Sequence, residues 1–137
     1  MARRQIGRAV STGALLGLLA AFASPMAGAS AATKVEVVQL TEADSGRTLQ
    51  VDPRQQLQVT LPGGSFGGYH QPTSSGPAVR RISAAGGYPS DQPATALFVA
   101  EQPGTADLQS LTDYTCLHVQ PRCAVPQKIW IVHIVVR

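Results

Sequence analysis

The sequence predicts an all-β domain, an antiparallel sandwich of about seven strands preceded by a short leader. Three observations carry that prediction. Beyond residue 31 no stretch keeps an apolar period of 3.6 over a useful length, so no sizeable amphipathic helix is expected. Apolar and polar residues instead alternate in short runs, interrupted by clusters of Gly, Pro, Asp and Ser. The chain also ends in two strand-like segments, residues 106–115 and 128–137, on either side of its only two cysteines, Cys116 and Cys123. Short strands with this turn punctuation, in a domain of about a hundred residues, point to a sandwich of the immunoglobulin type.

Residues 1–31 read as a secretory signal peptide. Arg3, Arg4 and Arg8 make its positive region, residues 9–23 its apolar region, and Ala27-Gly28-Ala29 or Ala29-Ser30-Ala31 its cleavage site. The apolar run is short for a membrane span, and polar Ser30, Thr33 and Lys34 follow it, so the mature protein is expected to have no span. The sandwich domain is then residues 32–137, secreted or held in the cell envelope. Three of the eleven Lys and Arg leave with the leader, and the remaining eight face eight Asp and Glu. A domain so balanced, with Arg80-Arg81 its one basic cluster, has no electrostatic footprint for nucleic acid. Export also makes Cys116 and Cys123 a disulfide rather than a metal or redox pair. Closing so short a loop removes roughly 2.5 kcal/mol of unfolded-state entropy on the chain-entropy model.

In order along the mature chain, Val35, Val37, Val38 and Leu40 alternate and then shift phase, as in a strand that bulges or changes sheets. Residues 42–46 form a turn, with Gly46 free to take positive φ. Residues 48–51 make a strand that Asp52-Pro53 stops. Leu57, Val59 and Leu61 alternate with Gln56, Gln58 and Thr60 in a half-buried strand that Pro62 ends. A long loop is expected over residues 63–77, a short strand over 79–83, a second loop over 86–93 and a strand over 96–100. Residues 102–104 turn into the closing hairpin, whose long loop the disulfide staples. Its last strand is apolar on both faces, Ile129, Ile131, His133 and Val135 against Trp130, Val132, Ile134 and Val136. Such a strand belongs in the middle of a sheet or between two covered surfaces. Phe66, Tyr69 and Tyr88 fall in the Gly/Pro-rich loops, where aromatic residues are more often contact residues than core.

The segments LTEADSGRTLQV (residues 40–51), LQVTLPGGSFGGY (57–69), ALFVAEQPGTADL (96–108) and IWIVHIVV (129–136) occur in an order that resembles the chagasin-like inhibitors of papain-type cysteine peptidases. Those inhibitors share an acidic-Gly turn, a strand ending in Leu-Pro, a Gly-rich loop and an aromatic-centred strand followed by Pro-Gly-Thr. The resemblance implies an immunoglobulin-like sandwich that inserts three neighbouring loops into a peptidase cleft. Its first loop carries Asn-Pro-Thr-Thr-Gly-Tyr; residues 63–69 stand there, and Gly68-Tyr69 carries over. GGYPSDQP, residues 86–93, takes the place of the second loop. The third, Arg-Pro-Trp in the family, is replaced by the stapled segment with Leu117 and His118. The implied partner-binding residues are Ser65, Phe66, Gly68, Tyr69, Tyr88, Leu117 and His118.

Other chemistry weighs less. Gly63-Gly64-Ser65-Phe66-Gly67 matches G-x-S-x-G, but that nucleophile motif needs a strand–turn–helix setting in a large α/β sheet. A Ser65–His70 hydrogen bond would be its mark. His70, His118 and His133 lack paired ligand spacing, so neither metal nor cofactor is expected. His133, within an apolar strand, reads as a core or interface imidazole. Asp113 and Tyr114 precede the staple and either form a site with His118 or serve the hairpin neck, Asp113 by accepting backbone N–H bonds. The expectation is a monomeric, non-catalytic module that binds a protein, with a papain-type peptidase as the implied partner. The alternative is a structural or envelope-associated domain without inhibitory activity.

Overall fold

A computed structural model describes residues 34–137 and Gly28, so the leader expected over residues 1–31 lies outside the described residues apart from that glycine. The compact unit Thr33–Arg137 contains β1 (Val37–Leu40), β2 (Thr48–Val51), β3 (Gln56–Leu61), β4 (Gly67–Tyr69), β5 (Thr73–Ser74), β6 (Val79–Ala85), β7 (Ala94–Ala100), β8 (Gly104–Tyr114) and β9 (Ile129–Val136). One sheet runs β1-β3-β7-β6; the other runs β2-β9-β8-β4, with β5 also on β8. Among the described residues no helix is long and apolar enough to cross a membrane.

The alternation seen in the sequence fills the space between the sheets. Leu57, Val59 and Leu61 of β3 and Ala94, Ala96, Phe98 and Ala100 of β7 point inward from one side. Ala106 and Leu108 of β8 and Trp130, Val132, Ile134 and Val136 of β9 meet them from the other. Each large apolar side chain removed from water in this layer contributes roughly 1.5–3 kcal/mol before conformational entropy is counted. The polar residues of the layer are satisfied. Ser110 donates to the His70 carbonyl at 2.6 Å, and Thr112 Oγ1 accepts the Lys128 amide at 2.7 Å.

Several local expectations change. The sandwich has nine described strands rather than about seven, because β4 and β5 lie within the stretch expected to be loop. Two strands so short show no alternation to read. The sheets are also not wholly antiparallel, since β1 runs parallel to β3 and β2 parallel to β9. Both follow from the early sheet change. After Leu40 the chain makes one 3-10 turn, Glu42–Asp44, and enters the opposite sheet as β2. Asp44 Oδ2 accepts the Thr41 amide at 2.8 Å, and Gly46 follows at φ 84°, a region that an L side chain avoids. Trp130 secures the crossing from inside the core, its Nε1 donating to the Thr41 carbonyl at 2.9 Å.

β9 sits in the middle of its sheet, between β2 and β8. Its second face is nevertheless open. Ile129 is 70% exposed, and His133 is an exposed residue whose Nδ1 lies 2.7 Å from Asp107 Oδ1 on β8. His133 is therefore not a core imidazole; the register Asp107↔His133 gives it a carboxylate on the outer face. The pairings also fix the two ends of the sandwich. The loops after β3, β6 and β8 and the Glu42–Asp44 turn share one end, whereas Val37 and Val136 lie at the other.

Candidate functional site

Three loops build the end of the sandwich that carries the 3-10 crossing: residues 62–66, 86–93 and 115–128. Close backbone contacts hold the first two together. A Cβ on Gly63 would collide with the Gln92 backbone, and the Tyr88 amide donates to the Tyr69 carbonyl at 2.8 Å. The first loop is tied to the third by the short ladder Gly67↔Tyr114 and Gly68↔Asp113, and by the Thr115 amide, which donates to the Phe66 carbonyl at 3.0 Å. A side chain at position 67 would strike Tyr114, so glycine is what lets β4 lie this close. The three loops do lie together.

The third loop opens with a 3-10 turn, Thr115–Leu117, and is closed by the Cys116–Cys123 disulfide, with the two Cα atoms 5.4 Å apart. The Cys123 amide donates to the Cys116 carbonyl at 3.2 Å, like the last rung of a hairpin. Beside the staple sits a cluster drawn from the second and third loops, the end of β8 and the residue just after β4. Asp113, at the end of β8, places Oδ1 2.9 Å from His118 Nε2 and Oδ2 3.4 Å from His70 Nε2. Tyr88 stacks on His118, with ring centroids 6.0 Å apart and planes 24° from parallel, and meets the edge of His70 at 5.6 Å. Burial works to raise the Asp113 carboxyl, but the His118 hydrogen bond, the Tyr114 amide at 2.8 Å and His70 outweigh it and hold the group below the usual carboxylate range. Asp113 thus serves both His118 and the hairpin neck.

No family model matches the chain, and no curated protein matches it in sequence. Among solved structures it is similar to the cysteine protease inhibitor EhICP2 from Entamoeba histolytica, with a TM-score of 0.55 and 10% identity, over 74% of this chain and 95% of that one. This chain has that inhibitor's fold. It also aligns with the solution structure of amebosin, with a TM-score of 0.45 and 12% identity, over 74% of this chain and 99% of that one.

At 10% identity the likeness to EhICP2 is one of scaffold, and the expected contact residues stand in different settings on it. Phe66 is 85% exposed at the tip of the first loop, beside exposed Ser65. Tyr88 and Leu117 are half-buried, and His118 is exposed. Gly68 belongs to β4, close to the Gly63 backbone. Tyr69 is the correction. It is 4% exposed, part of the core, and its hydroxyl donates to Glu42 Oε1 at 2.9 Å. The short strand β4 turns its ring inward, so Tyr69 holds the Glu42–Asp44 turn to the loop end instead of facing a partner. Among the described residues no hydrogen bond joins Ser65 to His70, the imidazole nearest it in sequence, which lies instead 3.4 Å from Asp113, so the mark expected of a G-x-S-x-G nucleophile is missing. Sequence reading placed His118 near Asp113 but missed His70 as the third member. Positions 70, 88, 113 and 118 have no common spacing; the pairing of β4 with β8 brings His70 to Asp113, and the Tyr88 amide bond to the Tyr69 carbonyl brings in Tyr88.

Proposed function

We propose that this protein is an exported, non-catalytic binding module, and specifically a monomeric inhibitor of papain-type cysteine peptidases that acts through its loop end. One observation carries the reading: three loops far apart in sequence are fastened into one surface, and the most exposed large apolar side chain of the described residues, Phe66, stands at its tip. An aromatic ring held out on a braced loop loses little entropy on entering a cleft, which is what a binding anchor requires. Likeness of fold to a cysteine protease inhibitor supports the choice of partner. Residues 1–31, with their basic, apolar and small-residue parts, support export to the cell surface or beyond.

The test is a titration of a papain-type peptidase with the oxidised domain 32–137, alongside its Phe66→Ala variant. Stoichiometric inhibition that weakens at least tenfold in the variant is expected. A folded, disulfide-bonded sample that leaves the peptidase untouched at micromolar concentration would instead favour a structural or envelope-associated domain.

A further inference from the structure

We propose that the Cys116–Cys123 disulfide is a thiol-exchange site that gates the loop end; the regulatory meaning of this gate rests on the inhibitor reading above. Both cysteines are partly exposed, and residues 118–122 between them are exposed throughout, so the staple lies at the surface, where a small thiol can approach it. The core contains no residue of the 115–128 loop. Opening the staple therefore leaves the inter-sheet packing intact. What it releases is the cluster hung from the loop. His118 is carried inside the closed ring, and its stack on Tyr88 and bond to Asp113 depend on the ring holding it in place. The other side of the loop stays fastened independently, because Gln127 Nε2 donates to the Thr112 carbonyl at 2.8 Å and the Lys128 amide to Thr112 Oγ1 at 2.7 Å. The ring is thus a clamp on one side of the loop end.

The exchange is ordinary sulfur chemistry. The thiolate of a low-molecular-weight thiol such as glutathione attacks Cys116 Sγ and forms a mixed disulfide there. The electron pair of the broken S–S bond leaves on Cys123 Sγ. Arg122, the residue before Cys123, favours that sulfur as the departing thiolate. A second thiol attacks the small-molecule sulfur of the mixed disulfide, departs as the oxidised thiol dimer and leaves Cys116 reduced. Two thiols are oxidised, one protein disulfide is reduced, and both cysteines take protons from water. The consequence for the site follows from the partner's class. A cysteine peptidase acts through a thiolate, so the thiols that keep such an enzyme active are those that open the clamp.

The test compares residue-resolved NMR spectra of the domain before and after incubation with reduced glutathione, with a Cys116→Ser/Cys123→Ser variant as a permanently open form. Peptide mapping locates the adduct. Inhibition is measured with alkylated, reduced protein against a peptidase freed of thiol after activation. The expected result is an adduct on Cys116 and loss of native shifts at His118 and Tyr88, while Trp130 and Phe98 keep theirs and inhibition falls at least tenfold. Persistence of the His118–Tyr88 cross-peaks in the reduced protein would overturn the gate. So would collapse of the Trp130 and Phe98 signals, which would make the disulfide a requirement of the whole fold. If the oxidised domain inhibits nothing yet the selective spectral change occurs, the inhibitor reading fails alone and the thiol-exchange clamp stands.

Discussion

Tyr69, twenty-seven residues beyond Glu42, donates its hydroxyl to that carboxylate at 2.9 Å and so fastens β4 to the turn where the chain changes sheets. Burial, followed by the Glu42 hydrogen bond and its charge, pushes the phenol up to about 12 from 10.0. A raised folded value means that the fold holds the neutral phenol. The stabilisation is complete below pH 10 and is lost as pH rises toward 12. Tyr69→Phe should cost about 1 kcal/mol at pH 7 and remove much of the alkaline limb. Urea unfolding at pH 7 and pH 11, followed through Trp130 fluorescence, checks both parts. An unchanged alkaline limb in the variant would remove Tyr69 as its cause.

Phe66 should behave in the opposite manner. With 85% of its surface in water it has little folding free energy to lose, so Phe66→Ala is expected to shift stability by less than about 0.5 kcal/mol. Loss of peptidase inhibition without loss of stability is the outcome that marks an anchor. A fall in Tm of several degrees would mark Phe66 as a packing residue instead.

Asp113 gives a prediction on the acid side. Its folded carboxyl lies below the ordinary value of 3.8, so its stabilisation is present above that pH and disappears as pH falls through the lower folded value. Asp113→Asn should destabilise the domain by about 1 kcal/mol at pH 7, and the gap should close toward pH 2. Parallel acid titrations of the two proteins, monitored by circular dichroism, read this directly; a gap that persists at pH 2 contradicts it.

Gly63→Ala tests the brace between the first two loops. The new methyl group would collide with the Gln92 backbone, which cannot yield as a flexible side chain would. The expected cost is about 1–3 kcal/mol, with movement confined to the loop end. Hydrogen exchange should show faster opening of residues 62–66 and 86–93 while β3 and β7 stay protected. Even exchange across the domain would count against a local brace.

Legibility in the sequence followed physical strength of pattern. β2, β3, β7 and β9 were readable because each packs one inward residue in two against the opposite sheet, and the closing hairpin because its cysteines require proximity. β5, Thr73–Ser74, is too short to show a period, and β4 was hidden by its glycines, whose value here is missing bulk, and missing bulk has no period. Tyr69 was misplaced for the same reason, since a loop tyrosine and a three-residue strand tyrosine look alike until the partner strand is known. His133 showed the reverse error: an apolar neighbourhood in sequence was only half an apolar neighbourhood in space, because the outer face of β9 is open to water. The Asp113 cluster was half legible, since Asp113 and His118 are five residues apart while His70 and Tyr88 arrive through tertiary pairing.

The parallel pairing of β1 and the direction of β9 put Val37 and Val136 at the same end, away from the loops. A linker, tag or solid support attached beyond either strand therefore presents the loop end outward. For a surface-display or biosensor format this makes C-terminal immobilisation the natural choice, with Phe66 and His118 left facing the solution.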